Sequence, residues 1–149
     1  MLSAGASAAD NVVRYKIPGS DFPIASAVEV KAASNVLYVS GAVPPVVDGA
    51  AGADALKKYG NTETQTRGIL KSIEKKLAEA GYGMGDVVQM HAYLGPDPET
   101  KKVDFRGFMK AYSEFFGTAA QPNLPARTTV PLSQMLGGFS VEIEVTAAK

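Results

Sequence analysis

The chain has no cysteine and no tryptophan, and its single histidine is His91. Without cysteine it has no disulfide, no thiolate metal site and no thiol nucleophile. One histidine, with no dense Asp/Glu run beside it, cannot supply a metal cluster, so a protein without metal or cofactor is expected. Net charge is missing too, since 15 basic residues are matched by 15 acidic ones. No global field then gathers nucleic acid or an anionic membrane surface, which argues against a nucleic-acid partner. Nor does any apolar run approach the ~20 residues of a membrane-spanning helix, so no membrane association is expected.

What is present is a 149-residue chain, the size of one domain with a substantial core. Its first ten residues are almost all Ala, Ser and Gly, and Ala6-Ser7-Ala8 looks like the end of an export signal. The charged start and apolar middle of such a signal are lacking. The expectation is a flexible tail over 1–11, one domain over 12–149 and a cytoplasmic protein, with an exported or periplasmic protein as the alternative.

Hydrophobic periodicity predicts strands over 12–17 and 27–32, separated by a Pro-Gly-Ser-Asp turn signal. Residues 36–43 are apolar and β-branched, end at Pro44-Pro45, and read as a buried central strand. A loop is predicted over 46–60. From Asn61 or Thr62 to about Ala80 a helix is expected, its buried stripe being Ile69, Leu70, Ile73 and Leu77. Gly81-Tyr-Gly stops it. A strand over 87–94 carries His91, and residues 95–102 form a turn-rich loop. A second helix starts near Asp104, bears Phe105, Phe108, Met109, Tyr112, Phe115 and Phe116, and ends at Gly117. Strands over 126–132 and 139–147 complete an order β-β-β-α-β-α-β-β. This is an α+β pattern: a sheet with two helices on one face. The other sheet face would be covered by further copies of the chain in a closed ring.

The last two strands carry the residues that suggest chemistry. Arg127 lies in Pro-Ala-Arg-Thr-Thr-Val and Glu142 in Val-Glu-Ile-Glu, joined by a turn-forming run. Antiparallel pairing of these strands would bring the two side chains together at a sheet end. An arginine clamps a carboxylate through two parallel hydrogen bonds, and a nearby glutamate moves a proton or activates water. Spacing alone leaves other readings open: a surface arginine, and Glu142 and Glu144 on the solvated face of an edge strand. His91 reads as a structural or interface residue and the aromatic row of the second helix as core. The glycines at 81–85 lack the lysine and spacing of a phosphate loop.

Four segments together resemble the Rid family, the reactive intermediate deaminases also called YjgF-like proteins. They are Asn35-Val-Leu-Tyr-Val-Ser-Gly41, Gly85-Asp-Val-Val, the stretch 105–116, and Pro125-Ala-Arg-Thr-Thr-Val with Val141-Glu-Ile-Glu144. The likeness runs from about residue 24 to 147. It implies a chorismate-mutase-like α+β domain with a mixed sheet, assembled as a homotrimer with a ligand cleft at each subunit boundary. It implies cofactor-free hydrolysis of 2-imino or 2-enamino acids to 2-keto acids and ammonia. Arg127 would then hold the substrate carboxylate and Glu142 would polarise water. Backbone groups near Ser40, Gly41 and Thr129 would line the same cleft. Ile24 stands where many deaminases carry tyrosine, Met109 where asparagine is frequent, and Thr129 where the best-known members have cysteine. These departures imply a more apolar rim and a different, bulkier substrate or weak activity. The alternative is a non-catalytic trimer that binds small carboxylates or a partner at the same clefts. A nuclease or translation-inhibitor role has also been attached to the family, and zero net charge with a single histidine speaks against it.

Overall fold

Residues 11–32 and 34–149 are described by a computed structural model. The expected tail over 1–11 therefore lies, apart from Asn11, outside the described residues. Period-two segments form β1 (Val12–Lys16), β2 (Ala25–Val30), β3 (Val36–Ala42), β4 (Val87–Leu94), β5 (Ala126–Pro131) and β6 (Val141–Ala148). They make one mixed sheet in the order β1-β2-β5-β4-β6-β3. The central strand β4 runs parallel to β5 and antiparallel to β6. Its alternation is clean: Met90, Ala92 and Leu94 are buried, while Gln89, His91 and Tyr93 face the other way. On β6, Val141, Ile143 and Val145 point inward, and Glu142, Glu144 and Thr146 outward.

The inward face is covered by α2 (Thr62–Glu79) and α3 (Phe105–Tyr112). The Asn61 side chain caps α2 by accepting from the Thr64 N–H at 3.1 Å. At the other end Gly81, with φ of 81°, turns the chain so that Tyr82 N–H reaches the Leu77 carbonyl at 2.7 Å. This is the glycine-terminated motif the Gly-Tyr-Gly signal predicts. Ile69, Leu70, Ile73 and Leu77 are fully buried, as their spacing predicts. In α3, Asp104 accepts from the Gly107 N–H at 2.9 Å, and Phe108 and Tyr112 stack in series toward Phe116. Burial of each such side chain stabilises the fold by about 1.5–3 kcal/mol. The α+β architecture, with its mixed sheet and two helices on one face, is thus observed.

Four expectations need correction. Residues 36–42 form an edge strand rather than the central one. Ala42 is buried in the core and Leu37 and Val39 pack against it, whereas Val36 and Tyr38 project from the opposite face, Tyr38 being 80% exposed. Conversely β6 is not an edge strand, since it lies between β4 and β3. The loop over 46–60 contains a short helix, α1 (Ala55–Tyr59), capped by Asp54 accepting from Lys57 N–H. Its single turn is too short to show a periodic stripe. Finally, β5 and β6 do not pair: β4 separates them, because β4 offers each a complete backbone edge. The 132–140 segment arches over the end of β4, with Leu132 N–H on the Leu94 carbonyl and Gly95 N–H on the Ser140 carbonyl. Among the described residues, no helix is long and apolar enough to cross a membrane.

Candidate active site

Arg127 sits near the start of β5, where the β1–β2 hairpin meets the sheet through only the Ala25–Ala126 pair. Its cross-strand partner on β4 is the buried Met90, so its side chain shares the helix-covered face. There the guanidinium carbon lies 4.3 Å from the Tyr112 ring centre, 5.2 Å from Phe108 and 5.6 Å from Phe22. Aromatic faces attract the cation and shield it from water. Burial pulls the Arg127 pKa below its ordinary value, and the Tyr112 hydroxyl partly opposes that. A guanidinium in such a place remains charged. Burial likewise pushes the Tyr112 hydroxyl up to about 12, Arg127 partly opposing. That hydroxyl donates to the Pro23 carbonyl at 2.9 Å and so pins the loop that carries Phe22 and Ile24.

No carboxylate among the described residues pairs with this cation. Arg127 Nη1 and, one pleat along, Thr129 Oγ1 are buried without a hydrogen-bond partner. An unsatisfied buried polar group costs about 1–3 kcal/mol, and a ligand that accepts or donates there recovers it. Both residues line a cleft of about 390 Å³ whose other walls are Phe22, Ile24, Leu94, Val103, Phe105 and Pro131. Ile24 and Arg127 thus line the same cleft. Met109 does not reach this cleft; it packs against the core.

Glu142 belongs to a second group. Its partner on β4 is Tyr93, so it projects from the open face of the sheet. The register of β3 against β6 slips between Val39 and Ala42, leaving Ser40 and Gly41 outside the paired ladder. The Glu142 carboxylate occupies this irregularity: a Cβ placed on Gly41 would lie 2.2 Å from Glu142 Oε1. Glycine is needed here for close approach. Ser40 lines a smaller cleft on the same face with Tyr38, Gln89, His91 and Glu144. Within it His91 Nδ1 lies 2.8 Å from Glu144 Oε1, and the Tyr93 hydroxyl donates to the same oxygen at 3.4 Å. Burial, and after it the Glu144 and Glu142 carboxylates, hold the Tyr93 hydroxyl above its ordinary range.

The structure thus unites Arg127, Thr129 and Ile24 on one face, and Ser40, Gly41 and Glu142 on the other. Cross-strand parity keeps Arg127 and Glu142 apart within a single chain, contrary to the expectation that pairing of their two strands brings them together. Sequence reasoning also overlooked Phe22, Val103 and Phe105 as cleft walls. Phe22 and Val103 lie in irregular segments where no periodicity marks a buried face. Tyr112 was legible only as core, and its second task of holding the guanidinium leaves no trace in spacing.

Comparison with known proteins agrees with the residues that carry the resemblance. A family model described as Endoribonuclease L-PSP matches residues 19–149. A RutC family protein of Saccharolobus solfataricus is 33% identical over 136 residues, covering 90% of this chain and 93% of its own. The 3-aminoacrylate deaminase RutC of Acinetobacter baylyi is 27% identical, covering 87% of this chain and 91% of its own. Among solved structures, a Rid-family protein of Yersinia pestis superposes with a TM-score of 0.67 at 20% identity, over 93% of this chain and 99% of its own. By sequence match and by fold, the chain belongs to the Endoribonuclease L-PSP family, the family of the YjgF, RutC and Rid proteins.

Proposed function

We propose that the protein hydrolyses 2-imino acids, and the 2-enamino acids that tautomerise to them, at a site built between two copies of the chain. One observation carries the reading: Arg127 Nη1 and Thr129 Oγ1 are buried without partners at the wall of an otherwise apolar cleft. A guanidinium kept dry and unpaired is a receptor for a carboxylate. The kinship with a RutC deaminase supplies the class of reaction.

In this reading one copy holds the substrate carboxylate on Arg127 and Thr129. A neighbouring copy presents Glu142 and the Ser40-Gly41 irregularity from its open sheet face. Closed rings of such copies, a homotrimer by resemblance, bring unlike surfaces together in this way. Exposed Tyr38 on the open face and exposed Phe22 and Phe105 at the cleft rim suit burial between copies.

The chemistry needs little more than orientation. The imine carbon is already electrophilic, so water adds to it directly once held in line. Glu142 accepts a proton as the water oxygen bonds to that carbon, and the C=N π pair moves to nitrogen, which is protonated. The C–N bond then breaks, ammonia leaves, and the hydroxyl loses its proton to give the 2-keto acid. One imine and one water thus yield one 2-keto acid and one ammonia. Backbone N–H groups at Ser40 and Gly41 stabilise charge that develops on the way.

The test is release of 2-keto acid from freshly generated 2-imino acids by wild type, Arg127→Ala and Glu142→Gln. Acceleration by wild type that both variants lose is expected. No acceleration for any imine refutes hydrolysis; carboxylate binding that survives without it favours the non-catalytic alternative.

A further inference from the structure

The cleft above Arg127 has one cationic end and an apolar remainder. Beyond Arg127 and Thr129, its walls are Phe22, Ile24, Leu94, Val103, Phe105 and Pro131. None of these six side chains bears a charge or a hydrogen-bonding group. A ligand that fixes a carboxylate on the guanidinium must therefore lay its side chain against hydrocarbon. A small ligand leaves much of the 390 Å³ unfilled. One with a second carboxylate would have to desolvate that charge with no cation on these walls to receive it.

We infer that this cleft selects carboxylates whose side chain is large and apolar: 2-imino acids with branched aliphatic or aromatic side chains, and the matching 2-keto acids. The inference rests on the proposed carboxylate site, and it names which members of that class the site prefers. Ile24 is the specificity-determining residue. It lies next to the pinned Pro23 and borders both the Arg127 cleft and the adjoining space toward Ser26 and Gln89. Phe105, at the first turn of α3 and stacked on Phe108 at 6.0 Å, forms the wall whose position α3 fixes. Phe22 is 41% exposed, with its ring centre 5.6 Å from the guanidinium carbon.

Equilibrium binding of 2-keto acids to the full chain tests this without requiring turnover. The probes are pyruvate, 4-methyl-2-oxopentanoate and 2-oxoglutarate, titrated by calorimetry. Wild type is expected to bind 4-methyl-2-oxopentanoate at least about tenfold tighter than pyruvate, from the added buried methyl and methylene groups, and 2-oxoglutarate more weakly than the branched acid. Ile24→Asn and, separately, Phe105→Ala are expected to shrink the first ratio severalfold. Equal affinity for the branched acid and pyruvate, no binding of either, or a ratio unchanged in both variants overturns the inference. Imine hydrolysis is scored separately. A retained binding preference without hydrolysis removes the deaminase reading and leaves the selectivity standing; hydrolysis without preference does the reverse.

Discussion

Replacing Gly41 with alanine adds a methyl group where the Glu142 carboxylate now lies. The new Cβ would stand 2.2 Å from Oε1 and 3.1 Å from Cδ, whereas ordinary contact begins near 3.4 Å. Oε1 must retreat by about 1 Å, a displacement that can cost a catalytic group on the order of 10²-fold in rate. Folding should barely notice. The obstructing atom is the tip of a flexible side chain on the open face, and Gly41 has no positive φ that alanine would strain. Stability is thus expected to change by no more than about 0.5 kcal/mol. The assay is kcat/KM for 2-keto acid release together with a urea denaturation midpoint. Glu142→Gln alone should lower the rate by about 10²–10⁴, and adding Gly41→Ala to it should cost little more, because both changes act on one carboxylate. A Gly41→Ala protein that keeps wild-type kcat/KM refutes the placement of Glu142 in the reaction. So does a double variant in which the two penalties multiply.

Three further outcomes are expected. Arg127→Met should abolish 2-keto acid binding yet unfold within about 1 kcal/mol of wild type, since it trades stacking on Tyr112 for relief of an unpaired buried cation; a loss well beyond that marks Arg127 as structural. Asp97 is buried, and burial alone would raise its pKa. Hydrogen bonds from Thr100, Thr62 and Glu99 outweigh this and hold it below the ordinary aspartate range. With the folded pKa under the unfolded value of about 3.9, its contribution is complete above about pH 5 and fades as pH falls through the folded pKa. Chemical denaturation from pH 7 to 2 should show that loss in wild type and a lower, flatter profile in Asp97→Asn. Tyr38→Glu places a charge on the most exposed aromatic of the open face. In the proposed homotrimer it should shift sedimentation from about three times the 15.6 kDa chain mass toward the single chain, and an unchanged mass would free that face from the assembly.

The elements were legible where periodicity and caps agree. The stripe of α2, its Asn61 cap and its Gly81 stop are local signals that tertiary packing reinforced. The order of strands was not legible in this way. Residues 36–42 read as central because Val36, Leu37, Tyr38 and Val39 are all apolar, but hydrophobicity cannot tell a covering helix from a covering neighbour. Pairing of β5 with β6 followed from their adjacency in sequence, and only the crossover through α3 showed that β4 stands between them. The same error hid the site's construction. Arg127 and Glu142 were marked by their motifs, while which face each occupies depends on register, which one residue of slip inverts. Phe22 and Tyr112, whose rings lie beside the guanidinium, came from a loop and a helix core where sequence gives no sign of a ligand site.

The most direct test of a site shared between copies is subunit complementation. Arg127→Ala and Glu142→Gln proteins, each inactive alone, are co-expressed with separate tags, and the mixed assemblies are purified and assayed for 2-keto acid release. A site that takes Arg127 from one copy and Glu142 from its neighbour is intact wherever the wild-type halves meet, which is one site of the three in every mixed ring of three, so the purified assemblies should show about one third of wild-type activity. Mixed assemblies that stay inactive, beside an active wild type, contradict the account, because every chain then carries a defect that no neighbour can repair.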